Sequence, residues 1–238
     1  MTDTHISAAP APAPGANSPS PSPSPWMTQA RDFVARIEAL CAADPGARAA
    51  LRSGLGKPLD EVPRMHRIVA PLLPPAVRDD DTQRAYYTVA SLLAAQKSET
   101  LRSGRRPADG DTPTDSAPST APAPYGTSLG KTFAAAVSAD GRNGLRENAA
   151  ETRLNLLTRQ STPGLHRHLP AAVRQLCDKK TPPDWAQLLV HLRAWPRDRK
   201  NIGRRWLQDF YRARHTAALD AAREAADTLP DAPTSDLP

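Results

Sequence analysis

The chain has 238 residues, with 31 Lys and Arg against 25 Asp and Glu for a formal net charge of +6, and only two cysteines. No apolar stretch approaches the roughly 18 residues that a membrane-spanning helix needs, and the start MTDTHISAAP has neither the basic nor the apolar region of a secretory signal. A membrane helix and a disulfide scaffold are thereby excluded, and a cytoplasmic protein with Cys41 and Cys177 as buried free thiols is expected.

Residues 1–25 are almost wholly Ala, Pro and Ser, residues 98–124 read the same way, and residues 229–238 form a Pro-containing tail. None carries an apolar period, so none can bury enough surface to offset the entropy of ordering, and all three are expected to be disordered. Roughly 170 residues remain, enough for one medium domain or two small ones. The spacing divides them into an N-terminal helical lobe over 26–97 and a basic C-terminal helical bundle over 125–228.

Every folded piece reads as helix, about nine in all, so the fold class is all-α with two small helical lobes. TQARDFVARIEALCAA places Phe33, Ile37 and Leu40 on one face, with Thr28 as N-cap. In DPGARAALRSG, Asp44 caps, Pro45 takes the first helical position and Gly54 ends the helix. DEVPRMHRIVAPLL is stopped by Pro74-Pro75, and DDTQRAYYTVASLLAAQ opens on acids that suit a helix N-terminus. Beyond the insert come TSLGKTFAAAVSA, NAAETRLNLLTRQ and TPGLHRHLPAAVRQLCDKK. PDWAQLLVHLRAW then carries Trp185, Leu188, Leu189, Leu192 and Trp195 on one stripe, and a last, longest helix starts near Asp198. Nowhere do β-branched residues alternate as a strand requires.

The charge is unevenly placed. Residues 142–215 hold 16 Lys and Arg against 6 acids, whereas 26–96 hold 9 against 8 and the chain from 216 onward holds 1 against 5. This concentration favours a polyanionic partner. Its densest part is RKNIGRRWLQDFYRARH, residues 199–215, with Asp209 as its single acid. On a helical wheel Ile202, Trp206, Phe210 and Ala213 form a core stripe, while Lys200, Asn201, Arg204, Arg205, Gln208, Tyr211, Arg212 and His215 share an arc without an acid. A solvated helix face ordinarily interleaves acids with bases, because opposite charges four residues apart help a helix and like charges hurt it. An acid-free arc is shaped for phosphates, and contacts of that kind hold a nucleic acid without reading its sequence.

Other motifs carry less. GTSLGKT, residues 126–132, has one residue too few between its glycines for a phosphate loop and no strand before it, and GLGKP at 54–58 reads as a helix stop. His166 and His168 lie two apart and point to different sides of a helix, with no Cys/His pair to complete a zinc site, so both are expected at the surface or as caps. Glu147 and Glu151 share a helix face and are expected to pair with basic residues. No Ser or Cys has a base and an orienting partner nearby. Nothing here calls for an enzyme, a cofactor, a metal or a small-molecule substrate.

RAALRSGLGKP, QRAYYTVASLLA, SLGKTFAAAV, ETRLNLLTRQ, HLPAAVRQL, PPDWAQLLVHLRAW and RRWLQDFYR stand in the order and rough spacing of the CasB family, which the chain resembles over about residues 28–215. CasB is the small subunit of the type I-E CRISPR surveillance complex, Cascade. The resemblance implies an all-helical, non-catalytic protein, present as two copies beside the other Cascade subunits. It would contact the guide RNA–target DNA duplex and help hold the displaced strand. It also implies that Lys131, Arg52, Arg153 and Arg174, which match basic positions of the family pattern, lie near phosphate. Arg142, Arg167, Lys200, Arg204 and Arg205 join them on the charge argument. Residues 1–25 and 98–124 fall outside the family pattern. The competing readings are a free-standing DNA-binding regulator and a helical scaffold that binds only protein. The first needs a recognition helix after a short Gly-containing turn, and no such pattern is present.

Overall fold

The computed structural model describes residues 24–96, 126–137 and 144–227; the segments expected to be disordered lie mostly outside them. Among the described residues there are eight α-helices and two short 3-10 turns, and the only β-type pairing is a single bridge between Val137 and Leu145. The all-α expectation holds.

Helix α1 spans Pro25–Ala43. It starts earlier than expected, because Pro25, pre-set for a helical φ, takes its first turn and Thr28 lies inside it. Asp44 then caps α2, Pro45–Arg52, its carboxylate accepting from the amides of Gly46 (2.7 Å) and Ala47 (3.0 Å). The third expected helix is broken into a 3-10 turn at Leu59–Glu61, α3 at Pro63–Val69 and a second turn at Ala70–Leu72. Pro63 cannot donate to a preceding carbonyl and so begins a helix instead of continuing one. Helix α4, Asp80–Ala95, is capped by Asp79, whose carboxylate accepts from Thr82 N at 2.9 Å. At its other end Arg48 of α2 donates to the carbonyls of Ala94 (3.2 Å) and Gln96, satisfying acceptors that the helix cannot.

Helix α5 spans Leu129–Ala136, α6 Glu147–Thr158 and α7 Thr162–Asp178, the last running through Pro170. Helix α8, Trp185–Asp227, joins two expected helices into one. Its kink lies where the sequence placed the break. Pro196 removes an intrahelical hydrogen bond, and Asp198 leaves helical geometry at φ −132° and ψ 25°. Residues 185–197 form a first arm and 199–227 a second.

The expected stripe of Trp185, Leu188, Leu189, Leu192 and Trp195 is wholly buried, as are Ile202, Trp206 and Phe210 on the second arm. Because α8 packs on α1 and α4 as well as on α5 and α6, the segments 26–97 and 125–228 share one continuous core. Its aromatic pairs include Phe33 edge-on to Tyr86 at 4.8 Å and Trp195 beside Trp206 at 5.1 Å. Each such large side chain contributes about 1.5–3 kcal/mol through burial alone. Cys41 is buried, Cys177 half-buried, and both are free thiols that burial pushes up to about 11, far from thiolate reactivity.

Candidate nucleic-acid interface

The GTSLGKT stretch turns out to be a packing device. Asp184 accepts from the amides of Thr127 (3.0 Å) and Gln187 (2.9 Å), and Gln187 accepts from Gly126 N at 3.0 Å, so the strap before α5 is tied to the start of α8. Ser128 caps α5 and donates its hydroxyl to Asp209 of the second arm at 2.6 Å. Gly130 lies against the backbone of α8, where a Cβ would stand 1.8 Å from the carbonyl oxygen of Trp206. Only glycine permits this approach. Lys131 follows directly and is exposed, so the contact that buries Trp206 also sets Lys131 at the surface beside the basic arm.

Beneath that contact Trp206 Nε1 donates to His191 Nδ1 at 3.0 Å, joining the two arms of α8 across the kink. The other ring nitrogen of His191 lies 2.9 Å from the Gln187 amide. Burial, reinforced by the positive charge of Arg205, pushes His191 down to about 4, so at neutral pH it is an uncharged acceptor. Ser24, Met27, Val190, His191, Ala194, Asn201 and Arg205 are among the residues lining a pocket of about 290 Å³ in the crook of the kink.

The outer face of the second arm bears Lys200, Arg204 and Arg205, all exposed, with Lys200 and Arg204 one turn apart. Arg204 donates to Asn201 Oδ1 at 2.6 Å, and Asn201 in turn donates to Asp198, the residue at the kink. The arc is less free of acids in three dimensions than on the wheel. From α6, Glu151 accepts from the Tyr211 hydroxyl at 2.5 Å, and Glu147 pairs with Arg214 at 3.1 Å. The expected ion pair is thus met by Glu147 alone, while Glu151 is taken by a tyrosine; both partners lie 60 or more positions away. These acids border the arc near 211–214, where Arg212 remains exposed, and Lys200, Arg204 and Arg205 form the basic cluster nearer the kink.

The remaining candidates are distributed. Arg52 is exposed in the last turn of α2, and Arg153 is half-buried on α6. Arg167 and Arg174 are exposed two turns apart on α7, and Arg174 faces Asp178 at 3.9 Å. Arg142 lies outside the described residues. The histidine expectation needs correction: His166 is buried, its Nδ1 2.8 Å from the Thr88 hydroxyl, because it adjoins the apolar stripe that α7 packs against α4. Burial, with Arg84 nearby, pushes it down to about 4. Among the described residues no group of His, Cys, Asp and Glu could hold a metal ion, and no helix is long and apolar enough to cross a membrane.

Two features escaped the sequence reading: His191 under Trp206, and Trp26, over whose ring the Arg193 guanidinium sits at 3.3 Å from the centroid. The first joins the two arms of α8 across its kink and the second joins α1 to α8, and neither shows in the periodicity of a straight helix.

The family model for the CRISPR-associated protein Cse2 matches residues 47–211. Among solved structures, one titled "CRISPR RNA-guided surveillance complex" contains a chain 32% identical to this one, with a TM-score of 0.66 over 82% of this chain and 99% of that one. A second, a pre-nicking form of such a complex, is similar at 33% identity and TM-score 0.65, covering 82% and 98%. CasB from Thermus thermophilus, at 21% identity and TM-score 0.54 over 79% and 98%, shares the fold. No curated protein matches by sequence.

Proposed function

The chain belongs to the CRISPR-associated Cse2 (CasB) family, and from that premise we propose that it is a non-catalytic small subunit of a type I-E Cascade surveillance complex. In this reading it binds nucleic acid without sequence preference, steadying the guide RNA–target DNA duplex and the displaced strand. Its partners are the other Cascade subunits, the guide RNA and the target DNA, with two copies in each complex, and it works in the cytoplasm.

The observation that carries the reading is the division of α8's second arm. Ile202, Trp206 and Phe210 are locked inside while Lys200, Arg204 and Arg205 are presented outside on a rigid helix. Fixed cations on a rigid element attract a phosphate backbone and position it, while sequence is left to base pairing. Lys131, Arg52, Arg153, Arg167 and Arg174 extend the same role over the neighbouring helices, and Arg142 is assigned it on charge alone. No residue is assigned a chemical step: the candidate carboxylates are engaged by Tyr211 and Arg214, and burial keeps the thiols protonated.

Co-expression with a guide RNA and the other Cascade subunits, followed by affinity capture on one of those subunits and mass spectrometry, tests the reading. The chain should elute in stoichiometric amount with RNA present. Elution of an RNA-loaded complex without it would overturn the assignment.

A further inference from the structure

Of the four tryptophans, Trp185, Trp195 and Trp206 are buried, whereas Trp26 is 41% exposed. It stands in the first turn of α1, ahead of the matched family region. The guanidinium of Arg193, 3.3 Å from the ring centroid, covers part of the indole and fixes its orientation. Around Arg193 the charged neighbours are Arg197 of the same arm and Asp79 at the start of α4, with the Tyr86 ring beside them. Ser24 and Met27, on either side of Trp26 in sequence, line the kink pocket together with Asn201 and Arg205. The exposed ring thus sits on Arg193 of the first arm, with Arg197 next to that guanidinium.

We propose that Trp26, backed by Arg193, is a stacking platform for an unpaired nucleobase, with the cations beside it taking the adjoining phosphate. This rests on the nucleic-acid reading above and adds to it a contact with the base itself. A large ring left in water gains by stacking on any base, since every base has a π-face, and an arginine behind the ring adds to such platforms. The neighbouring cations Arg193 and Arg197 favour a ligand that is planar and anionic together, which a nucleotide is and an apolar protein side chain is not. Bases stacked within a duplex are not available to the ring, so the platform selects single strands.

The full chain is titrated with a fluorescent oligothymidylate and with an abasic deoxyribose-phosphate strand of equal length, which keeps the phosphates and lacks the bases. The wild type should bind the base-bearing strand about tenfold more tightly. Trp26→Leu should abolish that preference while leaving affinity for the abasic strand unchanged, and Trp26→Phe should retain most of it. A leucine variant that weakens both strands equally, or neither, overturns the platform. So does one that keeps the preference but no longer co-purifies with partner subunits, which would make the ring a protein contact. If the leucine variant does not fold, the phenylalanine variant and the wild-type preference decide. Equal wild-type affinity for the two strands sinks the platform alone, whereas no binding to either sinks the nucleic-acid reading with it.

Discussion

Trp206 and Arg204 stand two positions apart on one helix and belong to different parts of the protein's physics. Trp206 is fully buried, bonded to His191, stacked beside Trp195 and covered by the backbone of Gly130. Arg204 is exposed and reaches no further than Asn201 of its own helix. Substitutions on the first face should cost stability, with function lost as the folded protein is lost. Substitutions on the second should cost binding at nearly constant stability.

Trp206→Ala should have the largest effect. Removal of a fully buried ring leaves a cavity and should destabilise by about 3–5 kcal/mol, read from chemical denaturation. A variant that melts normally but binds nucleic acid poorly would mean that the ring is a surface platform and that the two faces have been exchanged.

Acid should act on the same buried face. Burial holds His166 and His191 near 4 in the folded protein, against about 6.5 in the unfolded chain. Between those values the unfolded chain binds more protons, so stability rises with pH there. It is complete above pH 6.5 and is lost as pH falls toward 4, by about 3 kcal/mol per histidine. Denaturation at pH 7 and pH 4.5 measures the loss. His191→Asn, whose side-chain oxygen can accept from Trp206 Nε1, should flatten the dependence, and an unchanged pH slope in that variant would remove His191 from the account.

Gly130→Ala should come next, at about 1–3 kcal/mol, because the added methyl group meets backbone that cannot rotate away. A neutral result would mean that α5 slides along α8 at no cost.

Across the comparison, Lys200→Ala combined with Arg204→Ala should shift stability by no more than about 0.5 kcal/mol per site. The same pair should reduce the salt slope of nucleic-acid binding by about two, one for each phosphate contact removed. A large drop in melting temperature would place these side chains in the fold and not at its surface.

How much of this was legible in the sequence follows from distance along the chain. Asp44 caps where its position suggested, and the Trp185–Trp195 stripe is buried as its spacing required, because those signals are local. The wheel separated Trp206 from Arg204 for the same reason. It could not show that Glu151 reaches Tyr211 from α6, since one helix's periodicity is silent about its neighbours. Nor could it show that His166 is buried by α4, or that Trp26 meets Arg193. Gly130 was visible as a glycine but not as the point where α5 meets the Trp206 carbonyl. The candidate basic residues were recognisable singly by charge, whereas the placement of Lys131 beside the α8 arm came from that contact.

The central claim is that the outer face of this protein engages phosphates, and the salt dependence of binding tests it most directly. The full chain should be titrated with random-sequence DNA over about 50–200 mM salt, and log K plotted against log salt. About five phosphate contacts predict a slope near −4.5 and a roughly 500-fold loss of affinity over that range. A slope shallower than about −1 would contradict the claim, because a surface that releases so few counterions is not holding a nucleic-acid backbone.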